Sequence, residues 1–372
     1  MDNDWLIAAI YHENGQTKES KGLAFEGANG ESVERVYRTV ERIDAVRVAN
    51  NKVTNWVSVK GMVLASLVLA CTAGADTIRE RPNHALILGG GGPVAEAWES
   101  GVIAGLMEKG TDLAAMDRII GTSAGAIVGA RLAGRMSRSE LTTAALIRFE
   151  GTSPEPTHLS PPPDLMFLVR RLEQLNDGNL SEQSVGVEVG EWALKVRPIV
   201  SEAGFVASFR RRFPQPSWPG GAYECVSVDA GNGSLRVWNE SSAVPLALAV
   251  ASSCALPGFN APVTIDGHRY MDGGVRSATN ADLARGCKTA IVLAPTVGPS
   301  DPLAKVSVKR LDQELEVLRA SGCKVAPIVP DAASLSAFGG TLGNSGRARS
   351  ALEAGRIQGL GSAGNIAGLV SH

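Results

Sequence analysis

Past residue 83 the chain alternates short apolar runs with longer stretches of helical period. His84–Leu88 (HALIL) reads as a buried strand. Val94–Lys109 reads as a helix with Val94, Ala97/Trp98, Val102 and Leu106 on one face, stopped by Gly110. Arg118–Ile120 reads as a second strand ending at Gly121. Ala124–Gly134 reads as a helix that is small or apolar all round, hence buried. Within it Gly125, Gly129 and Ala133 recur every four residues, a stripe suited to close packing on a sheet. Ser137-x-x-Glu140 is a capping box that opens the next helix. Further strands are expected at Tyr223–Asp229, Leu235–Asn239, Thr289–Leu293 and Val325–Val329, and further helices at Pro245–Ser253, Pro302–Ser321 and Arg347–Ile357. Asp266-Gly267 marks a hairpin turn between two short strands. Strands alternating with helices imply an α/β fold with a mainly parallel sheet covered on both faces. The proline-rich stretches Ser153–Pro163 and Phe213–Gly221 interrupt this pattern. They read either as a lid or substrate rim or as plain surface loops.

Residues 1–80 break the alternation and form an N-terminal extension to a domain spanning 81–372. Val33, Val36, Val40, Ile43 and Val46 predict a helix over Glu31–Val48. A short apolar run, Met62–Ala75, follows Lys60. It is shorter than the roughly 18 residues of a membrane span. It resembles a secretory h-region followed by small residues, and Val68-Leu69-Ala70-Cys71 loosely matches a lipoprotein cleavage box. Two readings stay open: a signal or anchor with the true start near residue 60, or a buried or interfacial helix of a cytoplasmic protein. The second is preferred.

Composition narrows the field. With 36 Lys+Arg against 38 Asp+Glu the chain carries a net charge of −2, so nucleic acid is not an expected partner. Forty-two glycines and 5% aromatic residues suit a tightly packed α/β protein rich in turns. The five cysteines (71, 225, 254, 287 and 323) are widely spaced, lack a C-x-x-C and read mostly as buried thiols. Five scattered histidines give no expectation of a metal site, and no cofactor is expected.

Three motifs carry chemistry. Gly121-Thr122-Ser123-Ala124-Gly125 lies between an expected strand and an expected helix. That context presents a serine Oγ at a sharp turn beside a helix N-terminus. The bland alternative is a tight turn with Ser123 as an N-cap. Gly89-Gly90-Gly91-Gly92, between a strand and a helix, can aim several N–H groups, with that of Ala124, at an oxyanion. Gly90-x-Gly92-x-x-Ala95 also fits a loose dinucleotide fingerprint. That motif wants an acid at the end of the second strand, and here Glu108 ends a helix and Asp112 lies in a turn. A P-loop's Gly-Lys-Ser/Thr is absent. Asp272-Gly273-Gly274 follows a short strand, His268–Met271, and leaves a carboxylate at a loop tip where it can act as a base. A Ser-His-Asp arrangement would have to use His268 or His372, both poorly placed in chain order.

Together these motifs resemble the patatin-like phospholipase family over roughly residues 82–362. The glycine loop, Gly-x-Ser-x-Gly and Asp-Gly-Gly occur in that order, and Ala251–Gly274 resembles the family's segment leading to its Asp. The resemblance implies a three-layer α/β/α sandwich and a Ser123–Asp272 dyad. It also implies an oxyanion hole from the 89–92 backbone and ester hydrolysis on lipids. Lipid or other ester substrates are the implied partners, with membrane-surface association left open. One departure stands out: Pro93-Val94-Ala95-Glu96 lacks the basic residue many members carry after the glycine run, although a Gly89–Glu99 pattern with Ala97-Trp98-Glu99 resembles some bacterial members. A catalytically silent lipid- or acyl-binding protein on the same fold remains the alternative.

Overall fold

The computed structural model describes residues 6–13, 16–21, 43–50, 53–58, 83–147, 165–220, 222–300 and 302–370. The chain falls into two compact units, Met1–Glu80 and Arg81–His372. In the first, strands β1 (Leu6–Glu13), β2 (Gln16–Lys21), β3 (Ile43–Asn50) and β4 (Val53–Ser58) form an antiparallel sheet of order β2-β1-β3-β4. The helix expected over Glu31–Val48 is therefore corrected at its C-terminal end. Residues 43–48 belong to β3, where β-branched Ile43, Val46 and Val48 favour a pleated strand paired on both sides. The rest of that expected helix and the apolar run Met62–Ala75 lie outside the described residues. Among the described residues no helix is long and apolar enough to cross a membrane.

The described part of the second unit is built on eight strands: β5 (His84–Leu88), β6 (Arg118–Thr122), β7 (Tyr223–Asp229), β8 (Leu235–Trp238), β9 (Val263–Ile265), β10 (His268–Asp272), β11 (Thr289–Leu293) and β12 (Lys324–Ile328). The order is β12-β11-β5-β6-β7-β10-β9, with β8 also paired to β7. From β12 to β7 neighbouring strands are parallel, while β8, β10 and β9 join antiparallel. The inner parallel strands β5, β6 and β11 are buried and apolar along most of their length, as strands covered on both faces must be. Asp266 (φ 49°) and Gly267 (φ 81°) make the tight turn between β9 and β10.

Ten helices complete the described part of this unit: α1 (Gly92–Glu108), α2 (Ala124–Ala133), α3 (Arg138–Ile147), α4 (Leu165–Asn176), α5 (Glu182–Lys195), α6 (Glu202–Arg212), α7 (Leu246–Ser253), α8 (Pro302–Ala320), α9 (Ala332–Phe338) and α10 (Ala348–Val370). Ser137 and Glu140 close the capping box that opens α3. The sequence pattern ended the last helix at Ile357, yet α10 runs on to Val370. Two of its glycines, Gly355 and Gly359, are packing positions. A Cβ on Gly355 or Gly359 would lie 2.3 or 2.2 Å from the carbonyl oxygens of Trp98 and Val102, and one on Gly101 or Gly105 would lie 2.1 or 2.2 Å from those of Leu352 and Arg356. The backbones of α1 and α10 therefore touch, which only Gly permits. Trp98 is wholly buried beside this contact, edge-on to Phe338, and donates to Ser334. Glu99 is buried beside it. Burial pushes its carboxyl well above the usual carboxylate range.

The helix contact yields a direct test. Gly101→Ala should destabilise the domain by about 3 kcal/mol, the upper range for forcing a methyl group into a packed core. Gly361→Ala, with nothing within 4 Å of the new Cβ, should be neutral or slightly stabilising. Thermal unfolding of the two variants beside the wild type checks both signs.

Candidate active site

The register of β7 positions the site. Val226 pairs with Thr122 of β6 on one edge and with Val237 of β8 on the other. The next residue, Ser227, pairs with Arg236 of β8 and with Asp272 of β10. β6 and β10 therefore share one edge of β7 and meet end to end. Thr122 and Asp272 occupy consecutive pairing positions, and the residue after Thr122 is Ser123.

Ser123 sits in the turn between β6 and α2 with φ 54° and ψ −114°, a backbone conformation unusual for a residue with a side chain. Its neighbours make that turn sterically feasible. A Cβ on Gly121 would lie 2.5 Å from Ala126 Cα, and one on Gly125 would lie 2.1 Å from the Leu88 carbonyl oxygen. The end of α7 and the residues after it hold the turn from one side. Ser123 N–H donates to Ser253 Oγ (3.0 Å), Cys254 Sγ donates to the Ser123 carbonyl (3.1 Å), and Asp272 N–H donates to the Ala255 carbonyl (3.0 Å). Ser253 and Cys254 escaped sequence reasoning. Their only signal was their place in the Ala251–Gly274 stretch.

Asp272 is 3% exposed, and one of its carboxyl oxygens accepts from Gly274 N–H at 2.7 Å. Burial pushes its carboxyl up to about 7, against the opposing pull of the Gly274 N–H and the Ser123 hydroxyl that faces it.

Gly90, Gly91, Gly92, Ser123, Ala124, Asp272 and Gly274 all line one cavity of about 1060 Å³. Gly273 packs against the Val226 carbonyl behind it. The glycine loop contributes less than its sequence promised. Gly89 N–H donates to Leu293 O (3.1 Å) and Gly90 N–H to Ala278 O (2.7 Å), so both are spent inside the fold. The N–H groups of Gly91, Gly92 and Ala124 have no acceptor among the described residues. Gly91 (φ 148°) and Gly92 (φ 65°) adopt conformations suited to glycine and lead into α1.

The cavity walls are largely apolar, with Ile127, Leu168, Leu172, Phe205, Phe209 and Leu256 among them. Ile127 and Arg131 follow Ser123 at helical spacing along α2. Arg131 pairs with the buried Glu96 at 2.8 Å, and Arg212 of α6 approaches the same carboxylate at 3.4 Å. Both arginines line the cavity. The basic charge missing after the glycine run is thus supplied from α2 and α6, with Glu96 as its counter-ion. His268 stands at the opposite end of β10 from Asp272, pairs with Asp229 at 2.9 Å and does not line the cavity. His372 and the Ser153–Pro163 stretch lie outside the described residues. None of the four described cysteines is in a disulfide, and among them only Cys254 lines the cavity.

A family model described as patatin-like phospholipase matches residues 86–285, and the chain belongs to that family. A curated relative, patatin-like phospholipase domain-containing protein 7 of Mus musculus, is 30% identical over 220 residues. That match covers 58% of this chain and 14% of the relative, so the likeness is to one part of a much longer protein. Among solved structures, VipD from Legionella pneumophila is 14% identical, with a TM-score of 0.38 over 77% of this chain and 67% of that one. The type III effector protein ExoU is also 14% identical, with a TM-score of 0.35 over 78% and 54%.

The buried Asp272 carboxyl makes folding stability depend on pH. Its pKa of about 7 stands above the ordinary 3.8, so between these values the folded chain keeps a proton that the unfolded chain has released. This contribution is therefore fully present below about pH 4 and is lost as pH rises through 7. Asp272→Asn, neutral at every pH, keeps it. The variant should melt several degrees above the wild type at pH 8, with the two converging near pH 4, as differential scanning calorimetry across this range would show.

Proposed function

We propose that the second unit is a serine acyl hydrolase that cleaves carboxylic esters of lipids through an acyl-enzyme. The observation that carries this reading is the meeting of Ser123, on a strained strand-to-helix turn, with the buried carboxyl of Asp272 at the wall of a large apolar cavity. Family membership supports the lipid ester as substrate class.

In this mechanism Asp272 takes the Ser123 proton as Oγ attacks the ester carbonyl. The Gly91, Gly92 and Ala124 N–H groups, with the positive end of α2, receive the oxyanion. Collapse of the tetrahedral intermediate expels the alcohol, which takes its proton from Asp272. Water, deprotonated by the same carboxylate, then attacks the acyl carbonyl; the acid is released as Asp272 returns that proton to the departing Ser123 Oγ. The apolar walls take the acyl chain and keep bulk water from the carboxylate, which holds its pKa near the working pH of a general base. The His268 alternative has no support from the site, since that ring is engaged with Asp229.

Labelling with a fluorophosphonate probe, mapped by peptide mass spectrometry, is the first test. The expected result is a stoichiometric adduct on Ser123 that Asp272→Asn abolishes. A folded wild type that takes no adduct would favour a silent acyl-binding protein. In ester hydrolysis Asp272→Asn should lower kcat at least about a hundredfold. Because the base must be ionised, wild-type kcat/KM should rise roughly tenfold per pH unit below about pH 7 and level off above it. A flat profile from pH 5 to 8 would count against Asp272 as the base.

A further inference from the structure

We infer that Asn280 is a positioning residue that locks the serine turn to the loop bearing Asp272, and that the 277–280 segment around it also fixes the glycine loop. The inference rests on the serine-hydrolase reading of Ser123 and Asp272.

Asn280 is wholly buried and left-handed (φ 51°), a conformation that asparagine tolerates better than most residues. Its Nδ2 faces three acceptors: Ser277 O at 2.7 Å, Thr122 Oγ1 at 3.1 Å and Gly273 O at 3.3 Å. Thr122 immediately precedes Ser123, and Gly273 immediately follows Asp272. One amide thus touches both segments that meet on the edge of β7. Its Oδ1 accepts from Arg276 at 2.8 Å, and Arg276 is itself clamped by Glu182 and Asp282. With a guanidinium on one side and acceptor oxygens on the other, the amide has a single sensible orientation.

The same segment reaches the third element. Ala278 O accepts the Gly90 N–H at 2.7 Å, which anchors the loop whose next two N–H groups have no acceptor among the described residues. Thr279 and Ala281 are held from behind. The buried Glu314 carboxylate accepts from the Thr279 hydroxyl (2.6 Å) and from Ala281 N–H (2.9 Å). Nucleophile, base and oxyanion donors come from chain segments up to 181 residues apart by number, and this short stretch binds to all three. None of its side chains is placed against the reacting atoms. Its effect is on their distance and alignment, where an error near 1 Å costs about a hundredfold in rate.

Thr122→Val tests this most cleanly, because it keeps volume and branching and deletes only the hydroxyl that joins Asn280 to the serine turn. The expected result is a folded protein with kcat and the fluorophosphonate labelling rate both down about a hundredfold and KM within about twofold. The acid limb of kcat/KM should move to higher pH, because a displaced Ser123 hydroxyl no longer favours the ionised carboxylate. Thr122→Ser restores the hydroxyl and should recover most of the rate. Asn280→Gly keeps the backbone conformation, deletes the amide and should repeat the Thr122→Val signature. A folded Thr122→Val with wild-type kcat and an unmoved acid limb, or a loss that Thr122→Ser does not recover, would overturn the inference while leaving the hydrolase reading intact. A wild type that does not label on Ser123 would overturn both.

Discussion

One edge of β7 carries two strands, and the site depends on that arrangement. β6 arrives parallel and ends at Thr122; β10 arrives antiparallel and ends at Asp272. Neither could extend further without colliding with the other, so both chains must turn out of the sheet at the same place. Those turns carry the Ser and the Asp. Hydrogen-bond register is quantised, and slipping either strand by a residue would reverse which face its side chains point to. The pairing therefore sets the separation of the two groups far more tightly than loop packing could.

That constraint has a cost in stability. Ser123 is held at positive φ, and Asp272 is buried with a Gly274 N–H and the Ser123 hydroxyl as its polar contacts. Both features oppose folding at neutral pH. They are tolerated because the surroundings over-determine them: Ser253 and Cys254 on one side, the 277–280 segment on the other, and an apolar sheet beneath. A carboxyl kept near neutrality by burial makes a useful base for the same reason that it makes a poor stabilising group.

The cavity is apolar along much of its wall but is not charge-free. Glu96 lies in the segment after the glycine run, which holds no basic residue, and Arg131 and Arg212 pair with it at the cavity wall. A buried carboxylate in such a place requires partners, since an unpaired one would cost several kcal/mol. Absence of a basic residue from one loop therefore said little about the electrostatics of the site. The charge entered from helices distant in sequence.

Much of the fold was legible because its signals are local. Apolar strand runs, helical periods and the Asp266-Gly267 turn need only a few neighbouring residues to specify them. So did the three motifs, whose glycines mark where backbone must pass close. Other features were not legible, because they depend on residues far apart in the chain. The last helix runs past the expected Ile357 to Val370, with Gly355 and Gly359 lying on the backbone of α1. Ile43 and Val46 continue the helical spacing of Val33, Val36 and Val40, which pairing with β1 and β4 overrides. Gly89 and Gly90 looked like oxyanion donors, but Leu293 and Ala278 take their N–H groups. Asn280 carried no motif at all. The sequence by itself determined which residue types stand at each turn, since backbone sterics and short-range periodicity are properties of adjacent residues. Only the tertiary structure decided which of them face one another and which N–H groups remain unspent, because strand register and the partners of buried polar groups are settled by contacts between distant segments.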